Sequence, residues 1–349
     1  MVSEFKNKKI LVTGGTGSIG SAIVKQLLKF QPRQIRVLSR DETKQFELIN
    51  EINSSYPVNF LIGDVRDKDR LNMAMENIDI VFHAAAMKHV VFCEKNPFEA
   101  VKTNVQGTQN IIDCAYANNV DKVIVISTDK ATDPTNVMGC TKLLAEKLIL
   151  SSFLYKGDKR TKFSCVRFGN VLGSRGSVVP LFINQLKRNK PITVTDPEMT
   201  RFIMSISDAV QLVFKSVKLM KNREIFVLKM PAVTLKDLSQ AVIEVYKNKN
   251  NIMKNIPIKI IGKNEGERMH EKLLTLEESK GTLELKDMFI ILPNLLEPKF
   301  GYEFRGSNSY HRQSKKAKIA DYSSENVEKM SVSEIKKLLL SNGDLEFEH

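Results

Sequence analysis

No apolar run in this chain approaches the roughly 18 residues needed to cross a bilayer. The first strand pattern, Lys9-Ile10-Leu11-Val12, comes too early to leave room for a signal peptide, so a cytoplasmic protein with no membrane partner is expected. Cysteine is scarce, and the four present (Cys93, Cys114, Cys140 and Cys165) show neither CxxC nor Cys/His metal spacing. They read as small semi-polar residues in a reducing compartment. His83 ends a hydrophobic strand pattern and His270 sits in a charged loop, neither with a second ligand at metal spacing; no metal site is expected. Internal repeats and low-complexity segments are missing as well. The formal charge of +13 raises a nucleic-acid partner. Basic clusters with interleaved aromatics are absent, however, and the one dense run, Lys315-Lys316-Ala317-Lys318, reads as a solvated face. No nucleic-acid partner is expected, and a polyanionic small substrate would also gain from the positive surroundings.

What is present is ordinary for a soluble globular protein: 349 residues, 42% hydrophobic and 27% charged, enough for one large two-lobed domain or two modest ones. Strand patterns at 9–13, 35–39, 59–63, 80–83, 122–127 and 163–168 alternate with helical periodicity, as at 21–30 and 104–118. That rhythm predicts an α/β fold, a doubly wound parallel sheet of the Rossmann kind, with 225–230 as a seventh strand. From about Asn170 the rhythm changes to a loop at 173–177, a short strand at 191–194, a helix at 235–245 after Thr234, and a strand at 258–261 entering the 262–270 loop. The expected organisation is a dinucleotide-binding domain over 1–172, completed by about 205–232. Residues 173–295 are mainly a substrate lobe over the carboxyl ends of the sheet, and 296–349 a polar tail with a last helix near 332–341.

Thr13-Gly14-Gly15-Thr16-Gly17-Ser18-Ile19-Gly20 follows the first strand and opens a helix. Alone, a glycine-rich turn is a weak signal; in strand–turn–helix context it points to a pyrophosphate lying on the helix N–H groups. Gly14, Thr16, Gly17, Ser18, Ile19 and Gly20 are the expected contacts. The end of the second strand decides the cofactor. NAD-binding folds usually place a carboxylate there, whereas this chain has Ser39-Arg40 with Lys44 one turn on, cations suited to a 2′-phosphate. NADP is therefore favoured over NAD, although Asp41 could still meet a ribose hydroxyl.

Ser127-Thr128-Asp129-Lys130-Ala131 ends the fifth strand, and Met138-Gly139-Cys140-Thr141-Lys142 opens the next helix. An Asp-Lys pair in a loop is by default a surface ion pair. At the carboxyl end of a dinucleotide sheet it offers an acid and a base side by side. They suit removal of a proton from one carbon and expulsion of a hydroxyl from the next, which is a dehydration.

The blocks TGGTGSIG at 13–20, SRDETKQ at 39–45, GDVRD at 63–67, HAAAMKHV at 83–90 and KTNVQGTQN at 102–110 carry a resemblance. It continues through STDKATDPTNVMGCTK at 127–142, RFGNVLGSRGSVVP at 167–180, TDPEMTRFIMS at 195–205 and EGERMHE at 265–271, and fades beyond roughly residue 300. The chain resembles extended short-chain dehydrogenase/reductases of the UDP-N-acetylglucosamine 4,6-dehydratase group, nearest the C5-inverting enzymes of capsule and other surface-glycan pathways.

That resemblance implies a tightly bound, recycled NADP and a UDP-sugar substrate, UDP-N-acetylglucosamine. Lys130 would be the C5 base, its pKa lowered by burial near Lys142 and the nicotinamide, and Asp129 the acid at the C6 hydroxyl. Thr128 would meet the sugar near C4, and Lys142 the nicotinamide ribose. Met138 stands where short-chain dehydrogenases usually carry tyrosine; part of this group shares the methionine, and the acceptor of the C4 hydroxyl proton stays open. Asp64 and Val65 resemble adenine contacts. Ala84, Ala85, Ala86, Lys88, Asn104 and Ser127 resemble a cofactor wall, with Lys88 and Asn104 also lining the sugar site. Asn170, Arg175, Ser177, Val178, Thr195, Arg201 and Glu267 resemble nucleotide-sugar contacts. A homo-oligomer, dimer or hexamer, is also implied. The competing readings are a UDP-hexose 4-epimerase, against which Asp129-Lys130 and Met138 argue, and a non-catalytic NADP-binding regulatory protein.

Overall fold

The structure is a computed structural model that describes residues 2–52, 57–155, 157–293, 314–341, 345 and 347. Its parallel strands β1 (Lys9–Thr13), β2 (Gln34–Ser39), β3 (Val58–Ile62), β4 (Ile80–His83), β5 (Lys122–Ile126) and β6 (Lys162–Arg167) match the sequence pattern to within a residue or so. After them come β7 (Asn170–Val171), β8 (Ile192–Val194), β9 (Thr200–Met204), β10 (Ile225–Leu228), β11 (Ala232–Thr234) and β12 (Ile258–Ile260). The last five are β13 (Lys272–Leu274), β14 (Thr282–Glu284), β15 (Met288–Ile291), β16 (Lys315–Lys316) and β17 (Tyr322–Ser323).

The main sheet runs β16-β14-β15-β10-β6-β5-β4-β1-β2-β3. From β3 to β10 every pairing is parallel, and the order reverses at β1, between β2 and β4. In such sheets the crevice at the carboxyl ends beside that reversal takes the ligand. The central strands are apolar throughout because helices cover both faces; Ile10, Leu11, Val12, Val81, Phe82, Val123 and Ile124 are all buried.

Short caps set the helix starts. Asp41 accepts from Lys44 N at 3.0 Å at the head of the helix Glu42–Glu51, and Asn136 accepts from Gly139 N at 2.8 Å at the head of Val137–Ser151. The helix expected at 21–30 begins at Ser18, since the glycine turn leads straight into it, and tightens into a 3₁₀ turn at Leu28–Phe30. The helix expected at 104–118 starts as a π-helical turn, Val101–Gln106, before Gly107–Ala117.

Two features escape the sequence pattern. β14 and β15 fall within the 173–295 stretch expected to be mainly substrate lobe, yet they extend the main sheet antiparallel from β10, and Leu283, Met288 and Ile290 join its core. The described part of the C-terminal region is docked rather than appended. β17 pairs with β13, and Ile335 and Leu339 of the helix Val332–Ser341 enter a second core with Leu238, Val242 and Val245 of Leu235–Asn250. The strands are too short, two to four residues each, for a periodic pattern to show these contacts.

Candidate active site

The glycine turn is closed by its own backbone. A Cβ on Gly20 would lie 2.2 Å from Gly14 O, and one on Gly14, which has φ +64°, would lie 2.6 Å from Ala85 N. The Ala84-Ala85 stretch thus lies against the turn, as expected for a dinucleotide cleft. Thr16 Oγ1 and Ser39 Oγ are 2.7 Å apart, and Ile19 packs on the core. Arg40 is largely exposed and 3.7 Å from Asp64 Oδ2; Lys44 Nζ is paired with Asp41. Val65 is buried under Gly107, and Ala86 is exposed.

The catalytic candidates leave β5 on a strand end tied to β6. Ser127 N donates to Val166 O at 2.7 Å and Asp129 N to Phe168 O at 3.1 Å. Asp129 is fully buried; its Oδ1 accepts from Thr128 Oγ1 at 2.8 Å and from Lys130 Nζ at 3.0 Å, while its Oδ2 has no partner. Burial pushes the Asp129 carboxyl above the ordinary aspartate range despite the lysine beside it.

Lys130 behaves differently from the sequence expectation. Burial by itself would lower its pKa, but the carboxylates of Asp129 and of Glu271, whose Oε1 is 3.2 Å from Nζ, outweigh it and raise the value above that of an ordinary lysine. The correction has a plain cause. Its charged neighbours are two carboxylates and the Arg201 guanidinium, so the ammonium, not the amine, is the resting form.

Glu271, which sequence reasoning left unassigned although it closes the EGERMHE block, lines the same cavity, buried, with Oε2 unpartnered. Arg201 Nη2 pairs with Glu267 at 2.9 Å and its Nε lies 3.9 Å from Glu271. A run of alternating charge therefore reaches from Asp129 through Lys130, Glu271 and Arg201 to Glu267.

From Lys130 onward this run forms part of the wall of a cavity of about 390 Å³ between the sheet and the second core. The structure brings Lys130, Asn170, Ser177, Val178, Thr195, Arg201 and Glu267 together there. Apolar Val179, Phe182, Val194 and Leu238 make up much of the remaining wall, a surface suited to a flat ring.

Other expected site residues are placed elsewhere. Arg175 donates from Nη1 to Thr16 O at 3.0 Å and from its backbone N to Ser18 Oγ at 3.0 Å, against the glycine turn. Lys88 Nζ holds the Arg175 carbonyl at 2.6 Å. Asn104 has its amide fully used, with Met87 N and O at 2.8 and 3.0 Å and Thr141 Oγ1 at 3.0 Å, so it shapes the loop rather than lining the cavity. Ser127 Oγ bonds Glu146, whose carboxylate makes a two-point pair with buried Arg167 at 2.8 and 2.7 Å. Lys142 Nζ donates to Ile126 O at 2.7 Å, and burial lowers its pKa. Met138, four residues earlier on the same helix, is buried in a small apolar cluster with Cys93 and Ala100.

Several known proteins are similar to this chain in sequence or fold. An uncharacterized membrane protein of Methanocaldococcus jannaschii is 56% identical over 90% of this chain and 93% of its own. Among the described residues here, no helix is long and apolar enough to cross a membrane. The inverting UDP-N-acetylglucosamine 4,6-dehydratase of Campylobacter jejuni is 43% identical over 83% of this chain and 84% of its own. A UDP-glucose 4-epimerase of Rickettsia rickettsii is 40% identical over 97% and 96%. Among solved structures, Pen from Bacillus thuringiensis superposes with a TM-score of 0.88 at 47% identity, covering 97% of this chain and 98% of that one. The family model for polysaccharide biosynthesis protein matches residues 10–293. With that match, this fold and relatives named as nucleotide-sugar dehydratases and epimerases, the chain belongs to the polysaccharide biosynthesis family of extended short-chain dehydrogenase/reductases.

Proposed function

We propose that the protein is a UDP-N-acetylglucosamine 4,6-dehydratase that inverts C5 and recycles a bound NADP in surface-glycan synthesis. The observation that carries this reading is the contact of buried Asp129 with Lys130, 3.0 Å apart, with Lys130 on the cavity wall. The glycine turn, which has no room for a Cβ at Gly14 or Gly20, would hold the pyrophosphate, and exposed Arg40 would meet a 2′-phosphate, with Lys44 nearby once it leaves Asp41. Bound there, the dinucleotide would supply a hydride acceptor for C4 and a hydride donor for C6.

The chain's own part is proton chemistry. A proton passing from Lys130 Nζ to Asp129 turns the ion pair into a neutral amine beside a neutral acid, and exclusion of water by the sugar favours that form. Lys130 then takes the C5 proton, acidified by the C4 ketone. Asp129 gives its proton to the C6 oxygen as the C6–O bond breaks and water leaves, which restores ammonium and carboxylate. The proton lost from the C4 hydroxyl on oxidation goes to water, and after hydride return to C6 a water molecule on the face opposite Lys130 gives C5 its new proton, which inverts that centre. Arg201, Asn170 and Ser177 would bind the nucleotide diphosphate. Thr128, hydrogen-bonded to Asp129, orients the acid.

The reading includes residues 1–172 as the dinucleotide domain, 173–295 as mainly the substrate lobe, and a cytoplasmic homo-oligomer. Phe92, Phe98 and Leu144, exposed on its helices, offer that oligomer an apolar surface. Proton NMR of UDP-N-acetylglucosamine with the purified protein in D2O, no cofactor added, tests the reading. A new C6 methyl signal with deuterium at C5 is expected, its ring couplings reporting C5 configuration. UDP-N-acetylgalactosamine without a methyl signal would overturn it in favour of the 4-epimerase. Bound NADP with no turnover would leave the regulatory alternative.

A further inference from the structure

Glu271 takes part in no reading above, yet it is the second carboxylate on Lys130. Its Oε1 is 3.2 Å from the ammonium, its side chain is 4% exposed, and its Oε2 is buried without a partner in the cavity wall. A buried carboxylate is not left half-satisfied without a compensating role. Its backbone is fixed from an unexpected quarter. Ser324, just beyond β17, accepts from Glu271 N through Oγ at 2.9 Å and donates its own N to Glu271 O at 2.8 Å. Ser324 Oγ also lies 2.7 Å from Thr200 Oγ1, and Tyr322 stacks on Phe202 at 5.2 Å, so the C-terminal segment is anchored on β9.

We propose that Glu271 is a positioning residue for Lys130, holding the ammonium on the cavity wall as a second carboxylate beside Asp129, and that the C-terminal segment seats it there through Ser324. The charged groups facing Lys130 are Asp129 on its own turn, Glu271 ahead of β13 and Arg201 on β9; Glu271 in turn faces Arg201 and Arg268. With a charge of −1 at Glu271, the Lys130 proton is retained until the bound sugar displaces water. Loss of that charge frees the amine earlier. The polar tail therefore becomes part of the acid–base machinery. Only the activity arm of the test rests on the dehydratase reading.

The test compares wild type, Glu271→Gln, Glu271→Asp and Ser324→Ala as full chains. Acylation of Lys130 by acetic anhydride is followed by peptide mass spectrometry from pH 7 to 11, relative to exposed lysines. In Glu271→Gln, labelling at pH 9 is expected to rise about tenfold or more, the effect of one unit in pKa. Glu271→Asp keeps the wild-type profile, and Ser324→Ala moves it partway toward Glu271→Gln. Where the dehydration is observed, the ascending limb of C5 deuterium incorporation against pH moves to lower pH in Glu271→Gln. A merely structural role would lower kcat at every pH without moving the limb. Unchanged Lys130 labelling in folded Glu271→Gln overturns the proposal. Should that variant fail to fold, unchanged labelling in Ser324→Ala overturns it instead. The labelling reads out even from a protein that dehydrates nothing, so failure of the dehydratase reading is seen separately.

Discussion

The Arg175 guanidinium donates to the Thr16 carbonyl at 3.0 Å, joining the 173–177 loop to the glycine turn. Lys88 braces the same loop through the Arg175 carbonyl, and Gly176 packs against His89, where a Cβ would come within 2.4 Å of the ring. The 173–177 loop is thereby latched onto the glycine turn.

Arg175→Ala should weaken cofactor retention more than substrate affinity. A hydrogen bond from a charged donor contributes about 1.5–3 kcal/mol, so dissociation of the dinucleotide should quicken by ~10-fold or more. The measurement is nicotinamide dinucleotide content of the protein before and after gel filtration. Wild-type retention in the variant would mean that the latch does not act on the cofactor.

Asp129→Asn should lower turnover ~10²–10⁴-fold, the usual range for loss of a general acid. It also takes one of two carboxylates away from the buried Lys130 ammonium, and removing one partner of a buried ion pair is destabilising. The variant should therefore melt lower than wild type at pH 7. The NMR assay and thermal melts at that pH check both halves.

Much of the candidate site's placement was legible because its residues lie in local blocks. The glycine turn and Asp129-Lys130 follow strand ends, Lys142 lies in the first turns of the next helix, and short-range spacing places them. The Lys130 pKa was only half legible: Asp129, the larger of the two carboxylate influences that raise it, is its sequence neighbour, whereas Glu271, the second, meets it only through the fold. The protein partners of Arg175 and Asn104 were not legible for a related reason. Residue type says that an arginine suits phosphate and an asparagine suits a sugar, but backbone carbonyls at Thr16 and Met87 compete for both. β14 and the docked C-terminal segment escaped notice because a three-residue strand and single anchoring residues such as Tyr322 leave no period to read, and the short apolar run of β15, Met288–Ile291, does not say which strand it pairs with.

Met138→Leu should leave turnover intact. The side chain packs with Cys93 and Ala100, and a volume-conserving exchange there costs less than about 1.5 kcal/mol. Unchanged kcat with a slightly lower melting temperature is expected. A large loss of kcat in a well-folded variant would give the thioether a part in the reaction that its packing does not suggest.

His83 should make the fold sensitive to mild acid. It joins β1 to β4 through Thr13 Oγ1, 2.7 Å from Nδ1, and burial, with the nearby Lys142 charge, pushes its pKa down to about 3. The neutral ring is therefore built into the native state, while the unfolded chain takes up a proton below about pH 6.5. For a base with a depressed folded pKa, stability is fully present above the unfolded value and is lost as pH falls from about 6.5 toward 3. At pH 5 the loss attributable to this one ring is about 2 kcal/mol. His83→Gln, which keeps a hydrogen-bonding side chain without a titrating group, should be less stable than wild type at pH 7.5 but lose less between pH 7.5 and 5. Urea unfolding at the two pH values measures the difference. Parallel losses in both proteins would mean that His83 accepts its proton without unfolding, and that its surroundings admit charge more readily than its burial implies.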